Sequence, residues 1–274
     1  MRLTLVPIGG LCNRLRVVLS ALSLARDTHC AVSVEWGNDK ECGAWFDELF
    51  EPTGGARPHI VRRRWWAAVS SRRNLHLPGL VRLLAGYTYQ SCHKSPPTDD
   101  VLRPLIRKYR RAYLASGYQL CPYGREELAR LQPLPHLRRR IAELTEGFAH
   151  YTVGVHIRRT DNTQSIAGSP TEAFRRAMEA EIARNFNVRF FLATDDEDLK
   201  RRLTQDYPDR VITQTTDVRR DPLRGMEEAV VDLWCLAATR KLLASYWSSF
   251  SDTAAELGNI PVEVVRDDSS HPPA

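Results

Sequence analysis

Cysteine is present in this chain but carries no pattern. The six residues, Cys12, Cys30, Cys42, Cys92, Cys121 and Cys235, show no CxxC or CxxxH spacing. That removes a zinc site and a redox pair and leaves reduced thiols as the simplest reading. No apolar run approaches the ~20 residues of a membrane span. Residues 1–8 run straight into a glycine loop, with no basic leader, long apolar core or cleavage site. The expectation is a cytoplasmic protein, peripheral at the inner face of a membrane if it meets one. A GxGxxG loop with a fixed acidic partner is also missing, so the dinucleotide fingerprint is not met. Hydrophobic residues at 43% and aromatics at 8% are not scarce enough for disorder. A chain of 274 residues can bury one large core or two moderate ones, and two domains are expected, 1–145 and 146–274.

The formal charge of +6 is modest, but arginine clusters at 62–64, 72–73, 107–111 and 138–140 make the basicity local. Local basicity suits phosphate-bearing ligands, anionic membranes or nucleic acid. The run Arg62-Arg63-Arg64-Trp65-Trp66 interleaves cations with large aromatics. It fits stacking on a glycan, contact with an anionic membrane, or single-stranded nucleic acid. It fits equally well a solvated loop whose tryptophans turn inward.

The chain opens as strand, loop, helix, strand. Leu3, Leu5 and Ile8 lead into Gly9-Gly10-Leu11-Cys12-Asn13; Leu15, Val18, Leu19 and Leu22 follow at helical spacing, and Ala31–Trp36 returns as a strand. Gly9 and Gly10 are explained by a tight strand-to-helix turn alone, and Asn13 by an N-cap. Between Cys42 and about Pro104 the pattern loosens. Residues 101–118 read as partly helical, and Tyr123–Arg140 as a helix interrupted at Pro133 and Pro135. The second half alternates more regularly. A strand at 153–157 and a polar loop to Pro170 precede an amphipathic helix carrying Phe174, Ala177, Met178 and Ile182. Strands at 188–193, 211–213 and 241–245 then alternate with helices at 197–204, near 226–238 and from about Ser251. Such alternation predicts parallel sheets with covered faces, two Rossmann-like units, and a ligand cleft at the carboxyl ends of the strands.

Three groups sit where second-half strands end. They are His156/Arg158/Arg159/Asp161, Thr194/Asp195/Asp196, and the run Ser245–Ser251 containing Ser248, Ser249 and Phe250. Adjacent guanidiniums suit bidentate phosphate recognition, and serine hydroxyls with helix N-terminal N–H groups can hold a diphosphate. An aspartate accepting two N–H bonds reads a guanine edge or a ribose diol. Each group also has a plainer use: Asp195-Asp196 as a cap, the serines as a loop, the arginines as partners of Asp161, Glu227 or Glu228.

The block His156-Ile157-Arg158-Arg159-Thr160-Asp161 resembles the first motif of the GDP-fucose-dependent fucosyltransferase superfamily, which includes core, nodulation and protein O-fucosyltransferases. Leu192–Asp196 is similar to its second block, and Glu228–Asp232 followed by Ser248–Ser251 to its third. Gly9–Arg16 resembles its glycine and asparagine loop. The stretch from Cys42 to His150 matches none of these motifs. The resemblance implies a GT-B fold of two facing Rossmann-like domains, the second holding GDP-fucose and the first contacting the acceptor. It implies Arg158 on the β-phosphate, supported by Arg159; His156 on the nucleotide; Asp195 or Asp196 on guanine or ribose; Ser248, Ser249 and Phe250 over the diphosphate; and Asn13 at the reaction centre. It implies a nucleotide-sugar donor, a glycan or lipid-linked glycan acceptor, no metal and no nucleic acid. Membrane contact, if any, would run through Arg62–Trp66. The base is open between Asp161, Glu172 and little base assistance, because Asn162–Ile166 departs from the core enzymes' pattern of a Lys after the Asp and a Glu a few residues on. The rival readings keep the fold with another nucleotide sugar, or make the chain a non-catalytic nucleic-acid or membrane-binding protein.

Overall fold

The computed structural model describes residues 1–55, 58–64, 76–160, 163–215 and 222–267. Asp161, Trp65 and Trp66 therefore lie outside the described residues. The chain divides into two units, one of Met1–Leu134 with Asp221–Met226, the other of Pro135–Arg220 with Glu227–Ala274. The sequence placed the division at 145/146; the segment between the two positions is a helix grouped with the second unit.

In the first unit, β1 (Arg2–Pro7), β2 (Ala31–Trp36), β3 (His59–Arg62), β4 (Tyr89–His93) and β5 (Arg111–Ser116) form one parallel sheet in the order β3-β2-β1-β5-β4. The helix α1 (Leu11–Asp27) buries Leu11, Leu15, Val18, Leu19 and Leu22, the stripe that its 3.6-residue period requires. Strand β2 buries every second residue, Val32, Val34 and Trp36, as a half-covered strand should. Shorter helices α2 (Gly79–Leu84), α3 (Leu102–Lys108) and α4 (Arg125–Ala129) complete the unit. Residues 101–118 thus hold a helix and then β5, which pairs directly with the central β1.

The second unit begins with α5 (Pro135–Glu146) and β6 (Thr152–Ile157). It continues through α6 (Thr163–Gly168), α7 (Thr171–Arg184), β7 (Arg189–Thr194), α8 (Glu197–Asp206) and β8 (Val211–Ile212). Then come α9 (Pro222–Ala237), β9 (Leu242–Ser245), α10 (Ser249–Gly258) and β10 (Val262–Val265). Its parallel sheet runs β10-β9-β6-β7-β8. The expected polar loop at 162–170 contains α6, and β10 is an edge strand that the sequence reading did not anticipate. The alternation along β6 assigns its two faces. Val153, Val155 and Ile157 join Phe174, Met178, Leu199 and Leu203 in one core, while a Cβ on Gly154 would meet Thr239 and Leu242 on the other side. His156 points to that second side, toward α10.

Candidate functional site

In an open parallel sheet, ligands bind where neighbouring strands send their connections in opposite directions. In the second unit that point lies between the carboxyl ends of β6 and β9. The residues just beyond β6 are held from both sides. The Ser245 hydroxyl, at the end of β9, accepts the Arg158 N–H at 3.0 Å and donates to the His156 carbonyl at 3.2 Å. The Asp195 carboxylate, just after β7, accepts the Arg159 N–H at 2.7 Å and both the N–H and hydroxyl of Thr160, at 3.3 and 2.7 Å. It also pairs with Arg158 Nε at 3.2 Å. This fixes the backbone of 158–160 and orients a guanidinium whose side chain keeps about a third of its surface accessible. A half-exposed arginine on a fixed turn is pre-organised to meet an anion.

Arg159 takes a different position. Its guanidinium donates to the Ser169 and Arg158 carbonyls at 2.7 and 2.9 Å and to the Thr171 hydroxyl at 3.2 Å, and lies 5.9 Å over the Phe174 ring. Burial pulls its pKa below the usual arginine value, with Asp195 and Asp196 opposing. Its described bonds tie the turn to the start of α7. The two arginines of the motif therefore separate, Arg158 toward Asp195 with part of its side chain accessible and Arg159 toward Ser169 and the start of α7.

His156 is 4% exposed. Its Nδ1 shares a 2.7 Å hydrogen bond with Ser251, and its ring stacks on Phe250 at 4.8 Å. Burial, helped by the positive charge of Arg158, pushes its pKa down to about 4, so the imidazole is neutral near pH 7. Asp196 accepts the Leu199 N–H at 3.0 Å and caps α8, the plainer of its two readings. Ser248 occupies the N-cap position of α10 without a side-chain capping bond, and Ser249 and Phe250 form the first turn. The N–H groups of that turn and the positive end of the helix face negative charge favourably. Trp247, passed over in the sequence, is 64% exposed and held at φ +55°, an uncommon conformation for a bulky residue. Ser245 and Ser251 lay inside the serine-rich run without being singled out. A strand end opening directly into such a run was the signal for them.

The second unit holds a further polar cluster. Gln214, just beyond β8, donates to Asp232 of α9 at 2.6 Å and to the Glu228 carbonyl at 2.9 Å, and accepts from Arg140 at 2.8 Å. Burial drives the Asp232 carboxyl up to about 7, with the Gln214 bond opposing. Glu172, the second candidate base, is exposed on α7 and pairs with Arg175 at 3.5 Å. Among the described residues, no three His, Cys, Asp or Glu side chains gather as metal ligands.

In the first unit, Gly9 turns at φ +83° after β1, and its N–H donates to Glu41 at 3.2 Å. A Cβ there would meet the Asn13 amide at 2.8 Å. Asn13 does not cap α1, because Gly10 holds the N-cap position, and its side chain packs against the glycine turn instead. Arg14 is fully buried and donates to the Gly9 carbonyl and to Asp39, both at 2.6 Å, and to the Gly37 carbonyl. A guanidinium within the apolar stripe of α1 was the sequence signal for this brace. Of the arginine run, Arg62 pairs with Asp47 at 2.9 Å, and Arg63 turns inward toward Asp39 at 3.6 Å.

No protein-family model matches the chain. Among solved structures it is similar to the fucosyltransferase NodZ from Bradyrhizobium, with a TM-score of 0.64 at 17% identity over 95% of this chain and 94% of that one. A NodZ α-1,6-fucosyltransferase soaked with GDP-fucose gives a TM-score of 0.65 at 19% identity, over 95% and 94%. A variant of Arabidopsis thaliana FUT1 in complex with GDP gives 0.63 at 12% identity over 98% of this chain and 71% of that one. POFUT1 in complex with GDP gives 0.55 at 10%, over 96% and 98%. The chain has the GT-B-like α/β fold of these fucosyltransferases, built on two parallel sheets.

Proposed function

We propose that this protein is a metal-independent, inverting fucosyltransferase that moves L-fucose from GDP-β-L-fucose to a hydroxyl of a glycan acceptor and forms an α-fucoside. The observation that carries the reading is the turn at 158–160. It is pinned by Ser245 and Asp195 at the switch point of the second sheet, in a fold shared with fucosyltransferases solved in complex with GDP or soaked with GDP-fucose.

Departure of GDP builds negative charge on the β-phosphate. Arg158, already oriented by Asp195, meets that charge, and the first-turn N–H groups of α10 at Ser249 and Phe250 supply further donors. These donors strengthen most as the bond to the sugar breaks, which is what accelerates the step. A fixed guanidinium does the work that a divalent cation does elsewhere, so no metal is required. Arg159 holds the turn to α7, and neutral His156 supports Phe250 and Ser251 under the nucleotide. Asp195 serves the turn in this reading, and Asp196 the helix. The acceptor hydroxyl attacks the face opposite the leaving diphosphate. Asp161 is its base in this proposal, since Glu172 is exposed and engaged with Arg175. Asn13 and the glycine turn are the first unit's contribution to the acceptor.

The test is GDP release with GDP-fucose and a panel of glycan and lipid-linked glycan acceptors in EDTA, with the product's anomer read by NMR. Turnover in EDTA with an α-fucoside product is expected. Failure to bind GDP sinks the proposal, and a stronger thermal shift with a different nucleotide sugar replaces the donor. Arg158→Ala is expected to lower kcat roughly 100-fold or more, as loss of one such donor does, with the melting temperature retained. Activity within about tenfold of the parent would overturn its role, since tenfold is only about 1.4 kcal/mol of barrier.

A further inference from the structure

The two faces of the first sheet differ in composition. In a parallel sheet covered on both sides, each strand reads as a nearly continuous apolar run. On one face Leu3, Leu5, Val32, Val34, Ala112 and Leu114 follow this rule and are buried. On the other, the register sets Arg2 beside Arg111 and Thr4 between Ser33 and Tyr113, with Glu35 two residues beyond Ser33. These six residues line a cavity of about 400 Å³ whose lining also includes Leu77 and, from α2, Val81.

Three polar atoms of that wall have no hydrogen-bond partner among the described residues: Glu35 Oε2, Arg111 Nε and Tyr113 Oη. Tyr113 is 1% exposed. Burial, and after it the nearby Glu35 charge, push the Tyr113 hydroxyl up, so it keeps its proton and stays a donor. Burial also pushes the Glu35 carboxyl up, against the pull of Arg64 and Arg63. A buried polar group without a partner costs stability, and three in one wall are a deficit that folding alone does not fill. The other polar groups here are already engaged. Arg62 is held by Asp47 and Glu48, and the Thr4 and Tyr87 hydroxyls satisfy each other at 2.8 Å. Arg111 lays its guanidinium 5.0 Å over the Tyr87 ring, a contact of its face that leaves the Nε–H unspent.

We propose that this cavity binds an acidic monosaccharide unit, a hexose bearing a carboxylate or a phosphate. Its anionic group meets Arg111 and Arg2, its hydroxyls meet Tyr113 and Glu35, and its C–H face lies on Leu77 and Val81. Guanidiniums match carboxylate and phosphate oxygens, whereas a carboxyl group and a phenol match hydroxyls. The volume falls within the range of small-molecule sites. A neutral sugar leaves the guanidiniums unanswered, and inorganic phosphate leaves Tyr113 and Glu35 unanswered. The site is separate from the glycine turn, because it uses the amino-terminal half of β1 while Gly9 and Asn13 follow the carboxyl end of that strand. It stands on the cavity and not on fucosyl transfer.

Isothermal titration with glucuronate and with glucose 6-phosphate, each in excess GDP, tests this. At least one should bind with a millimolar or tighter Kd, and glucose and inorganic phosphate should bind about tenfold more weakly or worse. Binding of glucuronate alone assigns a carboxylate ligand, and of glucose 6-phosphate alone a phosphate. Tyr113→Phe removes only an unpaired hydroxyl, so it should weaken the acidic sugar about fivefold or more while the melting temperature holds or rises. Arg111→Gln should weaken it about tenfold or more. No binding of either acid, equal binding of glucose or inorganic phosphate, displacement by GDP, or parental affinity in Tyr113→Phe overturns the proposal.

Discussion

Two adjacent aspartates, Asp195 and Asp196, follow β7, and their hydrogen bonds give them different work. Asp195 gathers three donors from Arg159 and Thr160 as well as the Arg158 ion pair. Asn in its place keeps one acceptor oxygen and loses the charge, so Asp195→Asn should weaken GDP binding by about tenfold or more, in the range of one charge-assisted bond. Asp196 accepts one backbone N–H as a cap. Asn caps a helix as well as Asp does, so Asp196→Asn should leave GDP affinity unchanged and stability within about 0.5 kcal/mol, while Asp196→Ala costs about 1 kcal/mol. Isothermal titration with GDP and urea unfolding of the three variants check this. A tenfold loss of GDP affinity in Asp196→Asn would instead make Asp196 a reader of the nucleotide.

At the scale of elements, α10 has to bring its first turn to the carboxyl end of β6, and its far end decides how closely it lies on α9. A Cβ on Gly258 would collide with the Ala237 carbonyl oxygen, a backbone atom at the end of α9 that has no rotamer to yield. Gly258→Ala should therefore cost about 1–3 kcal/mol in urea unfolding, as overpacking does. Gly225, on α9 itself, has nothing within 4 Å of an added Cβ. Gly225→Ala should stabilise by about 0.5–1 kcal/mol through helix propensity. Equal effects of the two changes would contradict this packing.

The same scale explains which elements were legible in the sequence. The stripe of α1 and the alternation of β6 and β2 have periods that one residue type, the aliphatic, writes clearly. Strand β5 was not legible, because Arg111 begins it directly after a basic helix end and stacks its guanidinium 5.0 Å from Tyr87, so an interior strand opens on a charge. Strand β10 has three exposed residues of four, too little apolar contrast to announce an edge strand. The candidate site divides in the same way. Its position at strand ends followed from the alternating pattern. The division of labour between Arg158 and Arg159 did not, because it is set by Ser169 and Thr171, residues distant from the motif that become neighbours only when α7 packs on β6.

For the whole molecule, His156 and Asp232 make opposed contributions to the dependence of stability on pH. His156 has a folded pKa of about 4 against an ordinary 6.5. Between those values the unfolded chain binds the proton and the folded one does not, so this group's stabilisation is complete above about pH 6.5 and is lost as the pH falls toward 4. The gap corresponds to on the order of 3 kcal/mol. Asp232 has a folded pKa of about 7 against an ordinary 3.8. Here the folded chain holds the proton longer, so stabilisation is present below about pH 4 and is lost as the pH rises toward 7. Part of Asp232 reaches the surface, so solvent trims its share to about half of what full burial would give, on the order of 2 kcal/mol. The two slopes overlap and oppose, and removing either exposes the other. Relative to the parent, His156→Gln should gain stability toward acid, and Asp232→Asn should gain it toward neutral pH. Urea unfolding from about pH 4.5 to about pH 7 measures both differences. Parallel curves for parent and variants would mean that neither group is held in the charge state the fold imposes here.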